Sequence, residues 1–354
     1  MKILILPGDG IGPEISHATL DVLAVVDKKL SLRLDIDVQE IGLATLESHG
    51  TTLPPAVMKR IPEVDGVILG PVSHYDYPSR QQGGINQSAE LRVVFDLYAN
   101  IRPNRSRPGV SALPKPMDVT IVRENTEGFY SDRNMHAGSG EFMPDENMAL
   151  SVRKITAHAS RRVARAAFEI ARGRRRKVTA VHKANVLKLS DGLFLREVRK
   201  VAQDYPDVQL EELIVDATAA LLIRSPERFD VIVTTNMFGD ILSDEAAELS
   251  GSLGLGGSIN AGDEICVAQA QHGSAPDIAG RNIANPTSLI LSAAMLLDWR
   301  GRRDGRESLV AAGAQISAAI DRVIENPRTR TRDIGGTLDT SAYTAAVCTA
   351  ISEL

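Results

Sequence analysis

Two cysteines are all that the 354 residues contain, and Cys266 and Cys348 stand far apart without metal-ligand spacing. That argues against a disulfide framework and a cysteine zinc site, and it fits a reducing, cytoplasmic setting. No apolar stretch reaches the roughly 18 residues that a membrane span requires. The opening residues 1–7 meet a proline too early for a signal peptide, and they read as a first buried strand. Charge of one sign is also missing: 40 Lys and Arg face 45 Asp and Glu, for a formal net charge of −5. A nucleic-acid partner is disfavoured by that balance. Internal repeats and low-complexity tracts are absent.

What is present is an ordinary globular composition, 43% hydrophobic and 24% charged, long enough for about two domains. The apolar runs at 2–6, 67–70, 119–122 and 231–234 read as buried strands. Between them lie helical patterns, such as 160–172, where Val163, Ala167 and Ile170 share a face. Strands alternating with helices predict an α/β sheet covered on both sides. The cluster Arg172, Arg174, Arg175, Arg176 and Lys177 reads as a solvated helix end. Residues 136–147 mix Gly, Pro and acidic residues without a period, as a mobile loop or extended arm would.

The first strand runs into Gly8-Asp9-Gly10-Ile11-Gly12-Pro13, with a helix opening at Pro13. A dinucleotide fingerprint needs glycine at the sixth position, where Pro13 stands, and no acidic residue closes a clear second strand. The glycines instead predict a tight turn that lets backbone approach a ligand.

Arg92, Arg102 and Arg123 fall at element ends and could together clamp a substrate bearing two or three carboxylates, because guanidinium binds carboxylate bidentately and keeps its charge. Any one of them alone reads rather as a surface arginine. If Asp240 opens a helix, Asp240 and Asp244 lie one turn apart on one face, a hard-oxygen pair suited to Mg²⁺ or Mn²⁺, with Asp216 a possible third oxygen. Taken alone, Asp240 reads as an N-cap and Asp244 as solvated. Lys183 beside an apolar run could relay a proton, with Tyr130 as the matching acid; singly, they read as a snorkelling lysine and a buried tyrosine.

These motifs occur in one order with His272-Gly273-Ser274-Ala275-Pro276-Asp277-Ile278-Ala279-Gly280 and a C-terminal Gly335-Gly336-Thr337. As a set they resemble the β-decarboxylating dehydrogenases: isocitrate, homoisocitrate, isopropylmalate and tartrate/D-malate dehydrogenases. The resemblance covers almost the whole chain. It implies a two-domain, isopropylmalate-dehydrogenase-like α/β fold that is not Rossmann. Residues 1–100 and 251–354, with both termini, would form a large cofactor-binding domain, and 101–250 an inserted smaller dimerisation domain. By the same resemblance Arg92, Arg102 and Arg123 match arginines that hold substrate carboxylates. Asp240 and Asp244 match metal ligands from one subunit. Lys183 and Asp216 match residues reaching into the partner's site, Asp216 also as a metal ligand, and Tyr130 matches the catalytic tyrosine. The implied protein is a homodimer with shared active sites, acting on a small hydroxy-di- or tricarboxylate.

Residues 272–280 resemble the family's adenosine-binding loop, so His272, Gly273, Ser274, Ala275, Asp277 and Ile278, with Ile11 and Asn285, are the expected cofactor contacts. Asp277 can accept from ribose hydroxyls and repel a 2′-phosphate, which favours NAD over NADP. Many members carry an acidic Phe-Glu-Pro-Val before the histidine; this chain has Gln269 and Gln271 there instead. Specificity in the family lies just before Arg92, where Ser88 and Ala89 are a poor match to the leucines of an isopropylmalate enzyme, and the polar Asn86 and Ser88 suggest a polar or charged third substituent. An isocitrate- or homoisocitrate-like tricarboxylate is expected, with tartrate or D-malate, and then 3-isopropylmalate, as alternatives. A non-catalytic regulatory subunit of a hetero-oligomeric isocitrate dehydrogenase is the rival of another class. The presence of Tyr130, Lys183, Asp216, Asp240 and Asp244 weighs against it. A metal-independent short-chain or lactate-type dehydrogenase is disfavoured by the broken fingerprint and the paired aspartates.

Overall fold

The computed structural model describes residues 1–110, 115–130, 135, 138 and 140–354. Its strands are β1 (Lys2–Leu6), β2 (Asp35–Val38), β3 (Gly66–Leu69), β4 (Ala99–Arg105), β5 (Asp118–Glu124), β6 (Glu141–Asp145), β7 (Met148–Ser151), β8 (Lys177–His182), β9 (Gln209–Ile214), β10 (Val231–Thr234), β11 (Ile259–Ala261) and β12 (Cys266–Gln269). Ten of them form one sheet in the order β2-β1-β3-β12-β11-β4-β5-β10-β8-β9. The four at one end are mutually parallel, as are the four at the other. β11 and β4 are antiparallel to each neighbour, so the two parallel sets run in opposite directions. The apolar runs read from the sequence fall on β1, β3, β5 and β10, with edges moved by at most two residues.

Period-two alternation shows how both faces are covered. Ile3 and Ile5 of β1 enter one core with the helices Gly12–Leu30, Thr287–Asp304, Glu307–Glu325 and Thr340–Glu353, while Leu4 and Leu6 enter a second core on the opposite face. In the other half, Val231 and Val233 of β10 join a core with the helices Ala157–Arg172 and Ser190–Ala202. Ile232 joins a fourth core with Leu222 and Leu242, from the helices Val215–Arg224 and Asn236–Ser250. Burial on both faces is why these strands are continuous apolar runs.

The glycine-rich turn after β1 is tight, but the close approach it permits is to the chain itself. Gly8 and Gly10 have φ of +77° and +57°. A Cβ would sit 2.2 Å from the Pro71 carbonyl oxygen at Gly8, and 2.0 Å from that of Ser274 at Gly10. The Ile11 N–H donates to the Ser274 carbonyl at 2.8 Å, which locks the 272–280 loop onto the turn. The helix begins at Gly12, one residue before Pro13.

The arginine cluster does follow a helix end, with Arg172, Arg175 and Arg176 exposed, but it is also paired. Arg174 donates to Asp230 at 2.9 Å and Asp118 at 2.8 Å, and Arg172 pairs with Asp207. Arg175 donates to the Phe229 and Glu227 carbonyls. These arginines therefore staple the helix end to the strands beside it. Of the stretch 136–147, residues 136, 137 and 139 lie outside the described residues. Its later part forms, with Met148–Ser151, the separate antiparallel ribbon β6–β7. Every residue of that ribbon is exposed, including Phe142, Met143, Met148 and Leu150. Among the described residues no helix is long and apolar enough to cross a membrane.

Candidate active site

The middle of the sheet, where strand direction changes, builds a cavity of about 360 Å³. That is the size range of small-molecule sites. Arg102 points in from β4 and Arg123 from the carboxyl end of β5; Gln269 ends β12, and Asp240 lies on the helix that follows β10. Asn86, Ser88 and Arg92 come from the start and body of the helix Gln87–Val94, and Tyr130 follows β5.

The helix carrying Asp240 opens one turn earlier than expected, at Asn236 with Thr235 as N-cap. Asp240 is therefore neither the helix start nor a cap. It still lies one turn from Asp244, and both face the arginines. Arg102 donates to Asp244 Oδ1 at 3.0 Å and Ser243 Oγ at 2.7 Å, and lies 3.5 Å from Asp240 Oδ1. Arg123 donates to Asp240 Oδ1 and, through Nε and Nη2, to Asn236 Oδ1 at 3.0 and 2.7 Å. The Tyr130 hydroxyl donates to Asp240 Oδ2 at 3.2 Å. Two cations and two anions thus cancel, the arginines buried and the aspartates partly open. Burial, and then the neighbouring Arg102, pull Arg123 down to about 10. Burial also lifts the Asp244 carboxyl above the ordinary carboxylate range, against the pull of Arg102.

A backbone detail makes the knot possible. Gly239 sits under Arg123, where a Cβ would lie 2.6 Å from Arg123 Cγ and 2.7 Å from Cβ. Only a bare helix backbone lets that side chain cross to Asp240.

Lys183 and Asp216 are placed elsewhere. They pair with each other at 2.5 Å, next to strand ends of β8 and β9, and neither lines the cavity. The Lys183 hydrogen bond is the first cause holding the Asp216 carboxyl below its usual range. Among the described residues no three of His, Cys, Asp and Glu gather as a metal cluster, so one chain does not bring Asp216 to Asp240 and Asp244. Two carboxylates remain a fitting donor set for Mg²⁺ or Mn²⁺, which fill their shells with water and substrate oxygens.

Of the expected cofactor contacts, His272 and Gly273 line the cavity; Ile11, Ser274, Ala275, Asp277, Ile278 and Asn285 do not. The 272–280 loop is held by Ser73 Oγ, 2.8 Å from Ser274 Oγ, and by the turn after β1. His272 Nδ1 lies 2.9 Å from the Gly273 carbonyl, so it carries the proton. Nε2 is then a buried acceptor with no partner. Burial keeps the ring below the usual imidazole range, hence neutral at pH 7. Asn285 accepts from the Thr287 N–H at 3.0 Å and donates to Asp333 at 2.9 Å. Asp277 is exposed. Asn86 Oδ1 caps its helix through the Ala89 N–H at 3.1 Å.

Several site residues escaped the sequence reading. Asn236 fixes Arg123; Asp9, which accepts from the Leu43 and Ser73 N–H groups and the Tyr77 hydroxyl, fixes the 73–77 loop; and His74 and Tyr75 line the cavity. Asn100 is two residues from Arg102 and shares its strand face, a spacing that could have marked it.

Comparison with known proteins agrees with this geometry. The family profile described as isocitrate/isopropylmalate dehydrogenase matches residues 2–351. The isocitrate/homoisocitrate dehydrogenase of Thermus thermophilus is 43% identical over 355 residues, covering 100% of this chain and 99% of that protein. The 3-isopropylmalate dehydrogenase of Methanothermobacter thermautotrophicus is 40% identical over 348 residues, covering 98% and 97%. The crystal structure of isocitrate dehydrogenase from Methylococcus capsulatus matches with a TM-score of 0.86 at 38% identity, over 99% of both chains. This chain belongs to the isocitrate/isopropylmalate dehydrogenase family and has its fold. It is an oxidoreductase of the β-decarboxylating class.

Alanine in a helix interior normally stabilises relative to glycine by about 1 kcal/mol. Gly239→Ala should do the reverse, costing about 1–3 kcal/mol through overpacking against Arg123. It should also weaken binding of the substrate acid; thermal denaturation and calorimetry read the two effects.

Proposed function

We propose that this enzyme oxidises and decarboxylates a 3-carboxy-2-hydroxy acid of the isocitrate or homoisocitrate type, with NAD and Mg²⁺ or Mn²⁺. The observation that carries this reading is the knot of Arg102 and Arg123 with Asp240, Asp244 and Tyr130 at the cavity. In it, each charged group holds a place for an incoming ion of opposite sign. Substrate carboxylates would take over the arginines and Arg92, freeing the aspartates for a cation. Bound there, the metal would polarise the C2 oxygen and the C1 carboxylate.

The chain's own groups do the rest. Guanidinium forks orient the acid so that C2 faces the cofactor side of the cavity. Lys183 with Asp216 takes the C2 hydroxyl proton as hydride leaves that carbon. After CO2 departs from C3, the Tyr130 hydroxyl delivers a proton there. Lys183 and Asp216 lie outside the cavity of their own chain, so they serve the site of a second copy. Support for a homodimer comes from surfaces that want cover: the apolar ribbon β6–β7, and Val186, Leu189, Ile223 and Ile241, each more than half exposed. An isolated two-stranded ribbon is marginal in water without a partner. In this reading 1–100 and 251–354 bind cofactor, while 101–250 supplies the dimer contacts. The two free cysteines suit work in a reducing cytoplasm.

The unpartnered His272 Nε2 beside the 272–280 loop supports a cofactor there, and exposed Asp277 favours NAD. The polar Asn86 and Ser88 lining the cavity favour a polar third substituent over isopropyl. The test is NADH formation with Mn²⁺ across isocitrate, homoisocitrate, tartrate, D-malate and 3-isopropylmalate; turnover of none of them would refute the reading. Asp244→Asn should lower kcat by orders of magnitude and weaken Mn²⁺ binding in calorimetry, and unchanged Mn²⁺-dependent activity would remove Asp244 from the metal set. Asp277→Lys with Ile278→Tyr should move the NAD/NADP ratio of kcat/KM toward NADP, and a constant ratio would contradict the role given to the loop.

A further inference from the structure

A row of buried amides joins the substrate arginine to the specificity serine, and the arginine sets its direction. Arg102 has donors and no acceptor. Its Nε donates to Asn100 Oδ1 at 2.6 Å. The Asn100 amide nitrogen must then face onward, and it donates to Asn260 Oδ1 at 3.2 Å. Asn125 donates to the same oxygen at 3.0 Å, confirming it as the acceptor end. Asn260 Nδ2 is therefore the donor end, 3.5 Å from both Gln269 Oε1 and the Val267 carbonyl. Gln269 Nε2 is left to donate to Ser88 Oγ, at 2.5 Å. Asn100 and Asn260 are almost wholly buried, so no water competes for these positions.

The end of the row decides what Ser88 offers. With its oxygen already accepting from Gln269, the hydroxyl hydrogen is turned outward, and Ser88 lines the cavity. Gln271, the other glutamine of the segment, is tied to the Gly257 carbonyl at 2.9 Å and packs on Gly256.

We propose that the directed amide row Arg102–Asn100–Asn260–Gln269 makes Ser88 a hydrogen-bond donor to the substrate's third substituent, so that the site selects a carboxylate there over an alkyl group. Gln269 is a positioning residue in this scheme. The inference rests on the reading of the cavity as the site for a substituted malate. An acid at 269 would reverse the end of the row: a carboxylate only accepts, Ser88 would donate to it, and the cavity would meet serine lone pairs beside a negative charge. Directed rows of this kind strengthen one another in a low-dielectric interior.

The experiment compares Gln269→Glu and Ser88→Ala with the native enzyme, using isocitrate, 3-isopropylmalate and D-malate, which carry a carboxymethyl-derived, an alkyl and no third substituent side by side. The readouts are kcat/KM, the Kd of each acid and the KM for NAD. Both variants should lower the isocitrate to D-malate preference, Gln269→Glu by roughly tenfold or more because a lost charge-assisted hydrogen bond is compounded by repulsion. The isopropylmalate to D-malate ratio should change far less. A uniform fall on all three acids with a raised KM for NAD would overturn the proposal and make Gln269 a cofactor contact, and an unmoved ratio would overturn it outright. Failure of the parent reading looks different: the native protein would turn over none of the acids, while the Kd ratios would still report whether Ser88 and Gln269 select a carboxylate.

Discussion

Two arginines set against two aspartates in the middle of the sheet are the interaction on which the proposed chemistry depends. Arg123 is almost completely buried, and burial of a guanidinium is tolerable only with partners for its charge and its fork. Asn236 and Asp240 provide them from a single helix turn, and Gly239 provides the clearance. Arg102 does the same with Asp244 and Ser243. Because the knot is neutral, neither buried arginine is left without a counter-charge. An anion and a cation of matching geometry can replace the internal partners together, which couples substrate binding to metal binding in the account given above.

The sheet makes that knot possible. Reversal of strand direction at β11 and β4 brings the ends of two parallel sets to one place, so a strand of each set and a helix after β10 meet there. The same reversal lines Asn100, Asn260 and Gln269 on adjacent strands, where cross-strand neighbours can form a row. In the proposed scheme, chemistry at one end of that row and discrimination at the other share one set of hydrogen bonds.

Much of this was legible in the chain. Strands buried on both faces wrote themselves as unbroken apolar runs, and β3, β5 and β10 fell where those runs lie. The spacing of Asp240 and Asp244 placed both on one helix face, although the helix began a turn earlier, at Asn236 directly after β10. What could not be read was long-range. Nothing near Arg123 announces Asn236, and the glycines after β1 looked made for a ligand when the backbone they admit is that of Pro71 and Ser274. The arginines at 172–176 are partly solvated as read, but their partners Asp118, Asp207 and Asp230 lie far off in sequence and could not be seen. Lys183 and Asp216 match the family motif, yet local pattern holds no record that they stand apart from the cavity of their own chain.

The central claim is that each active site is composite, with Asp240 and Asp244 from one copy and Lys183 with Asp216 from another. The direct measurement is complementation between two inactive variants, Lys183→Met and Asp244→Asn, carrying different affinity tags so that the mixed dimer can be isolated. In that dimer one site would carry both substitutions and the other neither. The account predicts that the purified mixed dimer regains NAD-dependent oxidation while each parent homodimer stays silent. A mixed dimer as inactive as its parents would contradict it, because Lys183 and Asp244 would then belong to the same chain's site.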